Sequence, residues 1–161
     1  ERVERLVLVS SMTAARNIVG ADELRQAVAS LDGAVPAEFA RDFQESTVYR
    51  QLPTDFMEGV VAASLKLPAR VWRAVLEGLL ADEHASRLGQ IGAPTLILWG
   101  ERDALLKRAE QDALLSALGN AVLKVYKETG HSPHWERPEQ FVGDLEAFLD
   151  HAAARERRDA A

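Results

Sequence analysis

The run TLILW at 95–99 is apolar on both faces that an extended strand would present. Such a strand has to be covered on either side, which is the situation of a parallel strand sandwiched between helices. LVLV at 6–9 has the same character, whereas VLKVY at 122–126 alternates more and is expected nearer a sheet edge. Between the last two runs, KRAEQDALLSAL places Ala109, Ala113, Leu114, Ala117 and Leu118 at helical spacing, and Gly119 is expected to supply a left-handed stop. The result is a strand, helix, strand unit. The usual right-handed crossover makes its strands parallel, about 4.8 Å apart if adjacent, and brings both following loops to one edge of the sheet. After the third run, Pro138 suits a first helical position, and Phe141, Val142, Leu145, Phe148 and Leu149 form one apolar stripe, so a closing helix is expected. The tail at 151–161 has no apolar face of its own and is expected to fray.

Residues 12–90 read differently. They hold no convincing strand, and Pro36, Pro53 and Pro68 each open a helix-like segment. The segments run roughly 21–31, 36–46, 53–65 and 68–82, punctuated by Gly33 and by the KLP at 66–68. The division expected is therefore an α/β core from 1–11 and 91–150, a helical insertion at 12–90, and the tail.

Composition narrows the function classes. A chain of 161 residues with 47% hydrophobic and 27% charged residues matches one ordinary globular unit. Its net charge of −6 is spread along the chain and forms no basic stripe, so no nucleic-acid partner is expected. The absence of cysteine rules out disulfides and thiolate metal sites and suits a cytoplasmic location. No apolar run approaches the ~18 residues of a membrane span, so no membrane partner is expected. The opening ERVERLVLVSS lacks the layout of a signal peptide. It also begins without Met and almost inside a strand, which leads to the expectation that a preceding segment has been removed.

The chemistry lies at the strand ends. The second run leads into GERD and the third into KETGH, so Asp103 and His131 each follow the carboxyl end of a strand by a few residues. Open α/β sheets place their ligand sites at that edge. A carboxylate within hydrogen-bond reach of an imidazole fixes its tautomer and makes it a general base. Glu101 competes with Asp103 on position but reads as a solvated loop charge, and His134, Trp99 and Trp135 read as structural neighbours. His131 and His134 are too few for a metal site, and no metal or cofactor is implied.

Three stretches, ERVERLVLVSS, IGAPTLILWGERDALL and KVYKETGHSPHWERPEQF with its closing helix, together resemble the C-terminal half of an α/β-hydrolase-fold enzyme with a helical lid. In such enzymes the lid is inserted after the sixth strand, the acid follows the seventh and the histidine the eighth. The resemblance implies a partial α/β-hydrolase fold, with Asp103 as the triad acid, His131 as the base and a small-molecule substrate. Phe43, Phe56, Met57 and Trp72 of the lid are candidates to line the substrate cavity, with a place in the lid's own core as the alternative for apolar residues at helical spacing. The family's nucleophile elbow, G-x-S-x-G, and its oxyanion loop lie upstream of the sixth strand, and no G-x-S-x-G occurs here. Ser10 and Ser11 follow the first strand without the flanking glycines of such an elbow. The isolated chain is therefore expected to be inactive, to expose an aggregation-prone strand edge, and to need the missing N-terminal half as its partner. The activity implied is that of a serine esterase-like enzyme on small apolar esters or related acyl or carbon–carbon bonds. Two alternatives stand beside it: an aspartate-nucleophile haloalkane dehalogenase or epoxide hydrolase, and a non-catalytic ligand-binding member of the fold. Tyr49, the one tyrosine of the lid, weighs against the epoxide hydrolases, and the Asp103 and His131 pair weighs against a pure binder.

Overall fold

The sheet follows from the three apolar runs. In the computed structural model, which describes the backbone of residues 3–159 and the side chains of 3–150, strands β1 (Leu6–Val9), β2 (Thr95–Gly100) and β3 (Ala121–Tyr126) pair in the order β1-β2-β3. Both pairings are parallel, with Val9 opposite Leu98 and Gly100 opposite Tyr126. All of β2 is buried, with apolar side chains from a helix against it on either face. On one side Ile97 packs with Leu8, Leu123, and Leu114 and Leu118 from the region of helix α5 (Arg108–Ala117). On the other, Leu96, Leu98 and Tyr126 meet Phe141 and Phe148 of helix α7 (Pro138–Asp159). The alternation of Leu96, Ile97 and Leu98 thus splits one strand between two apolar clusters. At the margin of the sheet β3 exposes Val122 and Val125, while the Tyr126 hydroxyl donates to Asp144 of α7 at 2.7 Å.

Four helices make the insertion: α1 (Ala21–Ala29), α2 (Ala37–Ser46), α3 (Thr54–Ser64) and α4 (Ala69–Ala81). Pro36, Pro53 and Pro68 sit just before α2, α3 and α4 with extended backbone, one residue earlier than a first-turn proline. Their fixed φ still sets the entry angle of each helix. The insertion has a core of its own, in which Val28, Leu31, Val35, Ala40, Met57, Val61, Ala69 and Leu76 are buried. Burial of each large aliphatic side chain contributes about 1.5–3 kcal/mol. Trp72 adds edge-to-face contacts with Phe39 and Phe43, at centroid distances of 5.6 and 5.2 Å.

Both ends of the insertion are fastened at its base. Glu110 of α5 is buried and accepts hydrogen bonds from the backbone N–H and hydroxyl of Thr13 and, at 2.8 Å, from Asn17. Next to it, the Gln111 amide donates to the Ser11 carbonyl at 3.0 Å. At the far end, His84 spans from Asp82, 2.7 Å from Nδ1, back to the Met12 carbonyl, 3.1 Å from Nε2.

Two expectations change. Gly119 does not supply a left-handed stop: α5 ends as Leu118 turns extended, with φ −97° and ψ 112°, and Gly20 and Gly33 are the described glycines with positive φ. A short helix, α6 (Pro133–Glu136), precedes α7 and has no counterpart in the sequence reading. The backbone of α7 runs on to Asp159, while the side chains of 151–159 and residues 160–161, on which the frayed tail was expected, lie outside the described residues. Among the described residues no helix is long and apolar enough to cross a membrane.

The base of the insertion carries a pH signature. The Met12 carbonyl, and then Asp82, raise the pKa of His84 above its usual 6.5 against a smaller opposing effect of burial. Because the folded value is raised, the charged bridge stabilises the fold in full below 6.5 and is lost as pH rises through the folded value. The difference in melting temperature between wild type and His84→Ala is therefore expected to be constant in mildly acidic buffer and to shrink in alkaline buffer. A difference that stays level across that range would remove the charged bridge from the account.

Candidate active site

The carboxyl ends of β2 and β3 are drawn together by backbone contacts before any side chain is considered. Glu101 N–H donates to the Tyr126 carbonyl and Arg102 N–H to the Thr129 carbonyl, each at 2.9 Å. Gly100 lies so close to the second loop that a Cβ there would be 2.0 Å from the Gly130 carbonyl oxygen and 2.4 Å from that of Thr129. Only a residue without a side chain fits. Gly130 repeats the requirement one layer further out, where a Cβ would be 2.6 Å from the Tyr49 nitrogen and 2.9 Å from the Val48 carbonyl carbon. The glycine that precedes His131 is there because the backbone of the insertion passes directly over it.

This stacking sets the acid and the histidine. The side chain of Asp103 has no solvent exposure, and one of its oxygens lies 2.9 Å from His131 Nδ1. The other accepts the N–H groups of Leu105 and Leu106 at 2.8 and 3.0 Å. A carboxylate so deeply buried is tolerated because all its partners are donors. Trp99 fixes the same turn, its ring N–H donating to the Leu106 carbonyl at 3.0 Å. His131 is less enclosed, with 27% of its side chain exposed, and its N–H donates to the Thr47 carbonyl at 2.9 Å. With Nδ1 donating to Asp103, Nε2 carries the lone pair that can accept a proton.

A further carboxylate belongs to the site. Glu136 of α6 is 6% exposed, and its oxygens accept N–H groups from Gly130, Tyr49 and Arg50 at 2.7, 3.1 and 2.9 Å. The sequence marks it only through the spacing of E-x-P-E after the histidine.

The remaining candidates separate. Glu101 is exposed on its loop. His134 stacks at a tilt on Trp135 and Phe141, at 5.1 and 5.9 Å, and burial and the proximity of His131 lower its pKa. Phe56 reaches this cluster, meeting Trp135 edge-on at 5.8 Å. Met57 and Trp72 belong to the core of the insertion, Met57 beside a hollow shared with Tyr49 and Arg50, Trp72 beside a separate apolar groove shared with Leu24 and Val75. Ser10 takes a left-handed φ of 42° at the end of β1, but it is 4% exposed and presents no accessible hydroxyl. Among the described residues no three His, Asp or Glu side chains gather as metal ligands.

Comparison with known proteins bears on the same elements. The family model described as "Alpha/beta hydrolase family" matches residues 2–145. A 2-hydroxy-6-oxononadienedioate/2-hydroxy-6-oxononatrienedioate hydrolase of Pseudomonas putida is 38% identical over 69 residues, 43% of this chain and 24% of that protein. An esterase from Exiguobacterium antarcticum superposes with a TM-score of 0.82 at 16% identity, covering 93% of this chain and 58% of that one. The 2-hydroxy-6-oxo-6-phenylhexa-2,4-dienoate hydrolase of Rhodococcus sp. strain RHA1 gives a TM-score of 0.74 at 21% identity, covering 93% and 56%. At these identities the structural likeness establishes the fold. The chain spans about a quarter of the length of the curated relatives it matches and little more than half of the solved ones.

The close approach at β2 is open to test. Gly100→Ala is expected to force the 129–130 backbone away, as overpacked sites do at a cost of about 1–3 kcal/mol or more. Chemical denaturation checks this, and wild-type stability in the variant would mean that the two loops do not depend on that contact.

Proposed function

The chain belongs to the alpha/beta hydrolase family, and from that premise we propose that it carries the acid and base of a serine hydrolase acting at a carbonyl carbon, in an ester or in a carbon–carbon bond next to a ketone. The observation that carries the reading is the 2.9 Å contact between His131 Nδ1 and the wholly buried Asp103 carboxylate. Asp103 holds the ring in the tautomer that leaves Nε2 basic, and it stabilises the imidazolium that forms on proton uptake. His131 takes the proton of the nucleophilic serine through Nε2 and returns it to the leaving group. Partial burial and then the proximity of His131 lower the pKa of His134. Serine and oxyanion donors come from a segment that pairs with the free edge of β1, and that N-terminal half is the partner proposed for this chain.

The substrate class follows the site and the relatives together. We take the Phe56 and Trp135 pair, whose rings meet edge-on, as the apolar wall of the substrate site. The names of similar proteins cover both an esterase and hydrolases of 2-hydroxy-6-oxo dienoates, and each of the named substrate classes carries a carbonyl group. A small substrate with an apolar flank beside its carbonyl fits that wall.

In the full-length protein, Asp103→Asn is expected to lower kcat by a factor on the order of 10⁴ with the fold intact, because the ring loses its correct tautomer. Steady-state hydrolysis of a short p-nitrophenyl ester together with circular dichroism measures both parts. Mass spectrometry after a fluorophosphonate probe is expected to place the adduct on a serine. Near wild-type turnover in the Asn variant, or turnover without any serine adduct, would overturn the assignment.

A further inference from the structure

The segment at 47–50, between α2 and α3, touches the histidine loop through its main chain. The Thr47 carbonyl accepts the His131 N–H at 2.9 Å, and the Tyr49 and Arg50 N–H groups donate to one oxygen of Glu136 at 3.1 and 2.9 Å. The other oxygen of that carboxylate accepts the Gly130 N–H at 2.7 Å. One buried carboxylate thus binds the residue before the histidine and two residues of the insertion at once. Hydrogen bonds to an ionised acceptor are roughly twice as strong as neutral ones, and burial among main-chain donors keeps water from replacing them. The same 47–50 segment is anchored on its own side, since Val48 packs against the core of the insertion.

We propose that Glu136 is a positioning residue that couples the helical insertion to His131, so that the catalytic orientation of the imidazole is complete only while the 47–50 segment is seated. This rests on the hydrolase reading given above. Withdrawal of the segment removes two donors from Glu136 and the Thr47 acceptor from His131 together. The ring then keeps its Asp103 contact, while the backbone that carries it is held by Glu136 through Gly130 alone. A substrate that seats the insertion against the core therefore also assembles the base, and specificity for the bound ligand becomes competence for proton transfer. Glu136 touches no reacting atom and acts through Gly130 and His131.

The test uses full-length protein carrying Glu136→Gln, which keeps the shape but turns one acceptor into a donor, and Glu136→Asp, which keeps the charge on a shorter arm. Three readouts are taken: kcat and KM for a short p-nitrophenyl ester, the deshielded proton NMR signal of the His131 to Asp103 hydrogen bond, and amide exchange at Tyr49, Arg50 and Gly130. The Gln variant is expected to lose about 10²-fold in kcat with little change in KM, as small misplacements of a catalytic group do. Its imidazole signal shifts or broadens, all three amides exchange faster, and the Asp variant recovers part of each effect. Faster exchange at Tyr49 and Arg50 with the imidazole signal and kcat unchanged would overturn the proposal, leaving Glu136 as a fastener only. If wild type shows no turnover, the hydrolase reading fails separately, and the imidazole signal and amide exchange still decide the coupling. Should the Gln variant fail to fold, the same readouts on the Asp variant decide it, with unchanged His131 behaviour again counting against the proposal.

Discussion

Everything at the candidate site depends on how closely three pieces of backbone can lie on one another. The end of β2 passes under the histidine loop, and the histidine loop passes under the 47–50 segment, with Gly100 and Gly130 at the two crossings. A methyl group at either crossing would stand closer than 3 Å to another main chain. With the crossings intact, main-chain amides become available where side chains would otherwise intervene. Glu136 and the Thr47 carbonyl then bind Gly130 and His131 directly. Asp103 meets the imidazole within that frame, its second oxygen occupied by the turn that follows it.

The sheet gives this frame its rigidity. β2 is buried along its whole length and divided between two apolar clusters, so neither of its faces can shift without opening a gap against α5 or α7. The insertion is built separately, around its own aliphatic core and the Trp72 aromatic group, and polar contacts hold it to the sheet domain at Glu110, His84 and Glu136. Burial alone would raise the pKa of Glu110, but hydrogen bonds from Thr13 and Asn17 outweigh it and leave the pKa lowered, so the carboxylate stays ionised where it fastens the chain. Separate apolar clusters joined by hydrogen bonds, with His131 beside one of those joints, form the arrangement on which the proposed coupling rests.

Much of this was legible in the sequence because it follows from periodicity and from chain order. Strands at LVLV, TLILW and VLKVY, the four helical segments between prolines, and the placement of Asp103 and His131 after successive strands all follow from local patterns that burial enforces. What was not legible depends on tertiary approach. Gly130 could be read as a loop glycine, but nothing within ten residues of it specifies that Tyr49 lies above it. Glu136 looks like any helix-flanking acid until the three amides that surround it are seen. Phe56, Met57 and Trp72 share a helical character that cannot say which faces inward, and they diverge: Phe56 points to Trp135 while the other two pack within the insertion. Gly119 failed as a helix stop because the chain enters β3 directly, and an extended Leu118 does the work that a left-handed residue would have done.

The partners of Glu136 are peptide N–H groups, and a peptide N–H has no residue identity. The carboxylate therefore places no demand on the side chains of Tyr49 and Arg50, only on the path of the chain that bears them. An insertion of quite different sequence would satisfy the same fastener if its main chain crossed Gly130 at the same height. The contact fixes the height at which the chain crosses Gly130 and leaves the side chains at 49 and 50 without a part in it.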